Sequence, residues 1–88
     1  MKNAICRLPV VLKMTCLSRS TIYKRVEDGR FPPPISLGDR AIGWLLHEVQ
    51  VVILALIAGK TNEEIETLVT DLVAQRNDIL EGAMLCNQ

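Results

Sequence analysis

The run Pro32-Pro33-Pro34 is the feature that most restricts how this 88-residue chain can fold. Proline fixes its own φ, lacks a backbone N–H and keeps the residue before it out of the helical region. Residues 30–34 are therefore predicted to form an extended connector, and the helix before it must end near Gly29, because glycine is favoured just after a helix. The chain is long enough for one small domain with a modest core.

Two short helices are predicted before the connector, separated by a tight turn. Pro9 can occupy the first turn of a helix over residues 10–14, since a first-turn proline needs no N–H partner. Ser18 suits the N-cap of a second helix over residues 19–28, because its hydroxyl can accept a hydrogen bond from a free backbone N–H. Residues 1–7 are expected to form a mobile arm.

A β-hairpin and two longer helices are predicted after the connector. Residues 35–37 and 41–44 alternate like two short strands, and Gly38-Asp39-Arg40 between them has the composition of a turn. A third helix is expected over residues 45–58 and a fourth over residues 62–81. The predicted fold class is mostly α: a helix-turn-helix followed by a short β-hairpin and a C-terminal amphipathic helix.

The third predicted helix is apolar on nearly all sides, so both of its faces need cover. One face is suited to packing on the helix-turn-helix and contains Leu45, Val49, Val52, Ile53 and Leu56. The second face contains Leu46, Val51, Leu54 and Ile57. Because large apolar patches are rare on the surface of soluble monomers, either the fourth helix or a second copy of the chain is expected to cover this second face.

The fourth predicted helix is amphipathic and begins with a capping box. Thr61 and Glu64 have the spacing of a reciprocal cap, and the residues from Gly82 onward are expected to fray. Arg76 interrupts the apolar side: either it extends to solvent along an exposed helix, or it meets an acidic residue of a partner helix. The residues predicted to pack on the third helix or on a second copy are Ile65, Leu68 and Leu72.

The net charge of zero hides a strong asymmetry between the two halves of the chain. Residues 1–44 carry a net charge of +5 and residues 45–88 a net charge of −5. A basic half favours encounter with an anionic partner such as nucleic acid. The acidic half is either the solvated outer face of its helices or a contact surface for RNA polymerase, integrase or another basic partner.

The second predicted helix has two unlike faces. At 100° per residue, Ile22 and Val26 share one side, while Ser20, Thr21 and Lys24 lie on the opposite side. A helix that packs by two aliphatic residues and presents hydroxyls and cations outward fits the major groove of DNA. The alternative is an ordinary solvated amphipathic helix.

Several function classes are disfavoured by what the sequence lacks. His47 is the only histidine and has no partners at metal-ligand spacing, and no glycine-rich nucleotide motif occurs, so we expect no enzymatic activity, metal or cofactor. Three cysteines without a CxxC pair indicate a reducing, cytoplasmic environment. Cys16 is expected to be a small core residue at the turn, and Cys6 and Cys86 incidental thiols. No apolar run is long enough to span a bilayer.

Five short runs occur in an order and spacing typical of one family. They are Arg7-Leu8-Pro9, the run from Leu17 to Lys24, Gly29-Arg30-Phe31-Pro32, Leu37-Gly38, and Arg40-Ala41-Ile42-Gly43-Trp44. Through these runs, the sequence resembles the AlpA family over residues 7–53. Members of that family are small prophage and genomic-island regulators related to phage excisionases.

The resemblance implies a MerR-like winged helix-turn-helix protein that binds specific double-stranded DNA at a promoter or an attachment site. Family members activate transcription of integrase genes or act as recombination directionality factors. The resemblance places one group of residues on or beside the recognition helix and one residue at the tip of the wing. These predicted DNA contacts are Ser18, Arg19, Ser20, Thr21, Tyr23, Lys24, Arg25 and Arg40.

The chemistry of these side chains suggests a division of roles. The hydroxyls of Ser18 and Thr21, with Tyr23, suit phosphate contacts. Base edges in the major groove are the expected targets of Arg19, Ser20 and Lys24. A cation at the wing tip, Arg40, can enter a neighbouring A·T-rich minor groove.

Three features depart from the family pattern, one of which is that Leu46, Val51 and Leu54 replace positions expected to be polar on a lone surface helix. Cys16 stands where the family usually has glycine in the turn, which puts the geometry of that turn in question. Asp39 stands where the wing often has proline, which places a negative charge beside Arg40.

The sequence predicts a DNA-binding domain over residues 1–59 and a helical extension over residues 60–88 that dimerises or packs within the chain. We expect a homodimer, because helix-turn-helix proteins often read two half-sites, and a location on the nucleoid. The alternative function is a protein-interaction module of the antitoxin or anti-repressor type that uses the third and fourth helices.

Overall fold

The computed structural model describes the backbone of residues 3–86 and the side chains of residues 3–84. It contains four helices, α1 (Leu8–Thr15), α2 (Arg19–Glu27), α3 (Leu46–Ile57) and α4 (Asn62–Cys86). Three strands, β1 (Ile5–Cys6), β2 (Ile35–Gly38) and β3 (Ala41–Leu45), form an antiparallel sheet in the order β1-β3-β2. The predicted mostly α, winged helix-turn-helix architecture is therefore confirmed.

The prediction of a mobile arm over residues 1–7 was wrong for the part that the structure describes. Ile5 lies opposite Leu45 and Cys6 opposite Trp44, so β1 extends the hairpin into a three-stranded sheet. Gly43 permits this close approach, because a Cβ there would lie 2.6 Å from Cγ2 of Ile5. Cys6 is buried in the core and is not an incidental surface thiol. A two-residue strand is too short to produce an alternation that a sequence can reveal.

The helix-turn-helix begins and ends as the capping residues predict. Oγ of Ser18 accepts a hydrogen bond from the backbone N–H of Thr21 at 3.2 Å, which caps α2. Helix α1 ends at Cys16, whose φ of 60° and ψ of 23° place it in the left-handed region. Cys16 is exposed, so its expected place in the core was wrong. Its left-handed backbone ends α1 at the surface of the turn, where the Cys16 thiol lies 3.8 Å from the carbonyl oxygen of Lys13.

The wing closes through a two-residue turn in which both residues have positive φ. Gly38 pairs with Ala41, and between them Asp39 has a φ of 46° and Arg40 a φ of 68°. Two consecutive positive φ values match the right-handed twist of a hairpin. Glycine and asparagine adopt this conformation at low cost, whereas a residue such as arginine does so with strain.

The core is built around Trp44 and draws side chains from every helix. Trp44 is fully buried, and its indole N–H donates a hydrogen bond of 2.9 Å to the carbonyl oxygen of Pro32, which anchors the proline connector. The same hydrophobic cluster contains Val11, Ile22, Phe31, Val49, Val52, Ile65, Val69 and Leu72. Residues on both sides of position 60 therefore contribute to one continuous core.

Helix α4 covers part of the apolar surface of α3. Ile65 and Leu72 are buried, and Leu46, Val51 and Leu68 are partly buried against the core. Leu54 and Ile57, in contrast, are 63% and 76% exposed, and Leu56, expected to pack on the helix-turn-helix, is also exposed. The predicted fraying from Gly82 onward was wrong for residues 82–86, which continue α4; the rest of that range and the side chain of Cys86 lie outside the described residues.

Arg76 does not extend to solvent. Its Nε donates to Oε2 of Glu48 at 2.8 Å, and its terminal Nη2 donates to Oε1 of Glu48 at 2.6 Å and to the carbonyl oxygen of Pro33 at 2.9 Å. The acidic residue lies on α3 of the same chain, so of the two alternatives that the sequence left open, the contact with an acidic residue of a partner helix is the one that the structure shows. Among the described helices, none combines the length and the apolar character needed to cross a membrane.

Candidate nucleic-acid interface

Helix α2 presents the two faces that its sequence predicts. Ile22 is fully buried against the core, and Val26 is partly buried beside it. Ser20, Thr21 and Lys24 are exposed on the other side. The helix is therefore fixed by its aliphatic side and leaves its hydroxyls and its lysine accessible.

Three hydroxyl groups cluster at the start of α2. Oγ of Ser18 lies 2.8 Å from Oγ1 of Thr21 and 3.3 Å from Oγ of Ser20. The cluster lies at the positive end of the helix dipole, where an anion is favoured. Part of the hydrogen-bonding capacity of Ser18 and Thr21 is already used within the cap.

Tyr23 connects α2 to the wing. Its ring meets that of Trp44 edge-on, with centroids 6.3 Å apart and an interplanar angle of 62°. The guanidinium carbon of Arg19 lies 5.9 Å from the centre of the Tyr23 ring, within cation–π range. Because Trp44 belongs to β3, this edge-on contact joins α2 to the hairpin, and the cation–π contact places Arg19 beside Tyr23.

Three arginines from separate parts of the fold line one open cavity, which has a volume of about 580 Å³. Arg7 comes from the start of α1, Arg19 from the start of α2 and Arg40 from the wing turn. Tyr23 contributes to its wall, and the remaining lining residues are Leu8, Pro9, Leu12 and Ile42. We refer to this surface as the arginine concavity. It joins the recognition-helix and wing residues that the sequence predicted separately.

Arg7 was not among the predicted site residues. The sequence signal was present, because Arg7 directly precedes the Leu8-Pro9 helix start and the first of the five family runs begins with it. What the sequence did not reveal is β1, which holds the backbone just before Arg7 against β3. That pairing directs Arg7 to the same surface as Arg19 and Arg40.

The three arginines of the concavity differ from other cations in their electrostatic environment. No carboxylate in the described part of the chain forms an ion pair with Arg7, Arg19 or Arg40. Lys24 lies 3.6 Å from Oε1 of Glu27 and 3.5 Å from Oδ1 of Asp28, contacts that are worth little at an exposed surface. The concavity therefore presents uncompensated positive charge.

Arg25 lies apart from the other predicted contacts. It is half-buried, and its Nη2 donates to the carbonyl oxygen of Arg30 at 3.3 Å. This contact ties the end of α2 to the start of the connector. Its guanidinium does not line the arginine concavity.

The fold and this cationic surface define a small winged helix-turn-helix protein. The chain belongs to the AlpA family: the family model described as "Prophage CP4-57 regulatory protein (AlpA)" matches residues 4–51, which include α2, the wing and all three arginines of the concavity. The expected resemblance is confirmed, and the chain is thereby placed among prophage regulatory proteins.

The chain is also similar to a curated phage protein, the "Uncharacterized protein ORF88" of Enterobacteria phage P4. The two are 44% identical over 54 residues. The alignment covers 61% of this chain and 61% of that protein. No solved structure gives a significant match to the chain.

Proposed function

We propose that this protein is a sequence-specific, double-stranded DNA-binding regulator of a prophage or genomic island. In the proposed complex, α2 lies in the major groove and the wing turn reaches the adjacent minor groove. The observation that carries the proposal is the arginine concavity, in which Arg7, Arg19 and Arg40 share one surface without ion-pair partners among the described residues.

The arrangement of charge supports DNA as the anionic partner. A duplex presents phosphates in regular rows, and cations that come from separate elements of a fold can contact several of them at once. The hydroxyl cluster at the start of α2 adds neutral donors beside the same surface. A small anion, in contrast to a duplex, could be bound by a single cation and would not need cations from several elements of the fold.

The contacts are assigned by chemistry and position. Arg19, Ser20 and Lys24 are proposed to reach base edges, and Arg40 the minor groove. Ser18, Thr21, Tyr23 and Arg7 are proposed to contact phosphates. Arg25 is left out of this set, because its guanidinium is half-buried and bound to the carbonyl of Arg30.

Two regulatory roles use the same contacts. One is activation of transcription of an integrase or excision gene, with RNA polymerase as a partner. The other is a recombination directionality factor that binds attachment-site DNA beside integrase. A single footprint at a promoter supports the first role, and a series of cooperative footprints at repeated sites supports the second.

We also propose that the protein binds DNA as a homodimer. Leu54 and Ile57 form an exposed apolar patch on α3 that α4 does not cover, and a two-fold dimer would read two half-sites. Sedimentation velocity of the natural protein and of Leu54→Ser tests this. A monomer at micromolar concentration for both proteins contradicts the dimer.

The alternative is a protein-interaction module that uses α3 and α4 and no DNA. The same exposed patch of Leu54 and Ile57 favours it. A heterocomplex that survives Arg19→Gln and Arg40→Gln, together with an absence of specific DNA binding, supports this alternative.

Fluorescence anisotropy on two duplexes tests DNA binding directly. One duplex carries the promoter or attachment region beside the gene, and the other is a scrambled sequence of equal composition. We expect the natural duplex to bind roughly 10³-fold more tightly, with a log–log salt slope of about −4 to −6. Equal and weak binding to both duplexes contradicts the proposal.

A further inference from the structure

Helix α4 holds both ends of the proline connector that joins the recognition helix to the wing. At one end, Nε of Arg30 donates to Oε2 of Glu66 at 2.9 Å. Near the other end, Nη2 of Arg76 donates to the carbonyl oxygen of Pro33 at 2.9 Å. Helix α4 lies outside residues 4–51, the part that the family model matches.

The contact at Arg76 is a rigid one. Its guanidinium is held by two hydrogen bonds to Glu48, whose side chain is 1% exposed. A planar guanidinium group that donates two hydrogen bonds to one carboxylate has little freedom to rotate. The third hydrogen bond, to Pro33, is therefore made from a fixed position relative to α3.

Two adjacent carbonyl groups of the connector are held from different directions. The indole N–H of Trp44, on β3, binds the oxygen of Pro32, and Arg76, on α4, binds the oxygen of Pro33. Strand β2 begins two residues later, at Ile35. Arg76 also lines a shallow cleft together with Pro34, Ile35 and Ser36, so α4 borders the first residues of the wing.

We propose that Arg76 is a positioning residue that sets the place of the wing relative to α2, so that DNA affinity depends on a helix outside the interface. The arginine concavity contains no residue of α4. Arg40 lies at the far end of the hairpin whose start is held by the Pro33 contact. This inference rests on the proposed DNA-binding function.

A variant that keeps the fold but loses the Pro33 contact separates positioning from stability. Replacing the buried pair by apolar residues, Glu48→Leu with Arg76→Met, avoids leaving an unpaired buried charge and is often neutral or stabilising. It removes the hydrogen bond to Pro33 and does not change the net charge. Lys60→Met is the control for altering an exposed cation in the loop between α3 and α4, since Lys60 forms no ion pair with a described carboxylate.

The first readout needs no DNA. In ¹H–¹⁵N spectra, we expect the double variant to shift the indole resonance of Trp44, the only tryptophan, and the amide resonances of Asp39 and Arg40 at the distant wing tip. Lys60→Met should leave all three unchanged. Unchanged Asp39 and Arg40 resonances in a folded double variant overturn the positioning role.

The second readout is a double-mutant cycle in DNA affinity with Arg40→Ala. In the natural protein, we expect Arg40→Ala to weaken binding about tenfold. In the double variant, Arg40→Ala should weaken DNA binding less than about threefold, because the displaced wing no longer reaches the groove. If Arg40→Ala weakens DNA binding equally in the natural protein and in the double variant, the inference is overturned.

The two readouts distinguish failure of the inference from failure of the proposed function. If the natural protein does not bind DNA specifically while the wing-tip resonances shift in the double variant, the proposed function fails and Arg76 still positions the wing. If DNA binds specifically and the cycle shows no coupling, the function stands and the positioning role fails.

Discussion

Arg76 and Glu48 form a bidentate ion pair between α4 and α3, with N–O distances of 2.6 and 2.8 Å, and the carboxylate is almost completely buried. The hydrogen bond that Arg76 donates to Glu48 raises the pKa of Arg76 above its ordinary value, against the opposing effect of burial. The guanidinium therefore stays charged, and the pair acts as a fixed link between two helices.

Breaking this pair from one side should destabilise the fold strongly. We expect Arg76→Met to lower the free energy of unfolding by about 3–5 kcal/mol, because it leaves a buried, unpaired carboxylate. Urea denaturation measures the loss. The companion variant, Glu48→Leu with Arg76→Met, should recover most of that stability, and a double variant as unstable as the single one contradicts the explanation.

Arg40→Gly should change stability and DNA affinity in opposite directions. Glycine relieves the positive φ of 68° at this position, a relief of about 1 kcal/mol that should raise Tm by about 4–8 °C. The loss of the cation should weaken DNA binding about tenfold or more. Thermal unfolding and anisotropy measure the two effects, with Arg40→Lys as the control that retains the positive charge and keeps a Cβ at the strained position. If Tm and DNA affinity both rise, or both fall, the assignment of Arg40 as a strained residue that contacts DNA is contradicted.

Cys16→Gly should stabilise the turn between α1 and α2. Cys16 occupies the left-handed region that ends α1, with a φ of 60°, and glycine there avoids about 1 kcal/mol of strain. Cys16→Ala removes the thiol but keeps Cβ, so it should leave Tm almost unchanged. Calorimetry of the two variants checks this, and equal Tm values for both would show that the backbone at Cys16 is not strained.

The arginines of the concavity should differ in their effect on the salt dependence of DNA binding. Arg7→Gln should reduce the log–log salt slope by about 1, because Arg7 is proposed to contact a phosphate, whereas Arg19→Gln should relax specificity at one position of the site, because Arg19 is proposed to contact a base edge. Lys60→Gln, which removes a cation far from the concavity in sequence, is the matched control. A slope that changes equally for Lys60→Gln would indicate a general effect of net charge and no local contact.

The cap of α4 should show a defined pH dependence. The backbone N–H of Thr61 donates to Oε1 of Glu64 at 2.9 Å, and this bond holds the pKa of Glu64 below its ordinary value of 4.5. A depressed folded-state pKa gives stability that is present above the unfolded pKa and is lost as the pH falls through the folded pKa. The Tm difference between the natural protein and Glu64→Gln should therefore shrink between pH 7 and pH 3. A Tm difference that stays constant from pH 7 to pH 3 contradicts the role of the Glu64 carboxylate in the cap.

The parts of the fold set by local chemistry could be predicted from the sequence. The hydroxyl of Ser18 starts α2, the prolines at 32–34 separate α2 from β2, and the turn at Asp39-Arg40 closes the wing. Each depends on a few neighbouring residues, whose conformational preferences act within one turn of the chain. Residues Thr61 and Glu64 form the reciprocal cap that their spacing indicates.

The features that the sequence did not reveal depend on contacts between distant residues. Strand β1 is stabilised by pairing with β3, some 39 positions away, and its two residues carry no periodic pattern of their own. Arg76 finds Glu48 28 positions earlier in the chain. Arg7 joins the arginine concavity only because β1 holds the chain beside β3. Charge and periodicity could identify these residues as unusual but could not predict which distant residues they contact.

The two carboxylates beside Lys24 have a consequence for selectivity in the proposed DNA complex. Their ion pairs with the lysine are weak at an exposed surface, but Glu27 and Asp28 also repel phosphates. In that complex, we expect this repulsion to lower background binding of α2 to a random duplex. A base edge that accepts a hydrogen bond from Lys24 would offset the repulsion, so a very short helix could discriminate between sites with few direct contacts.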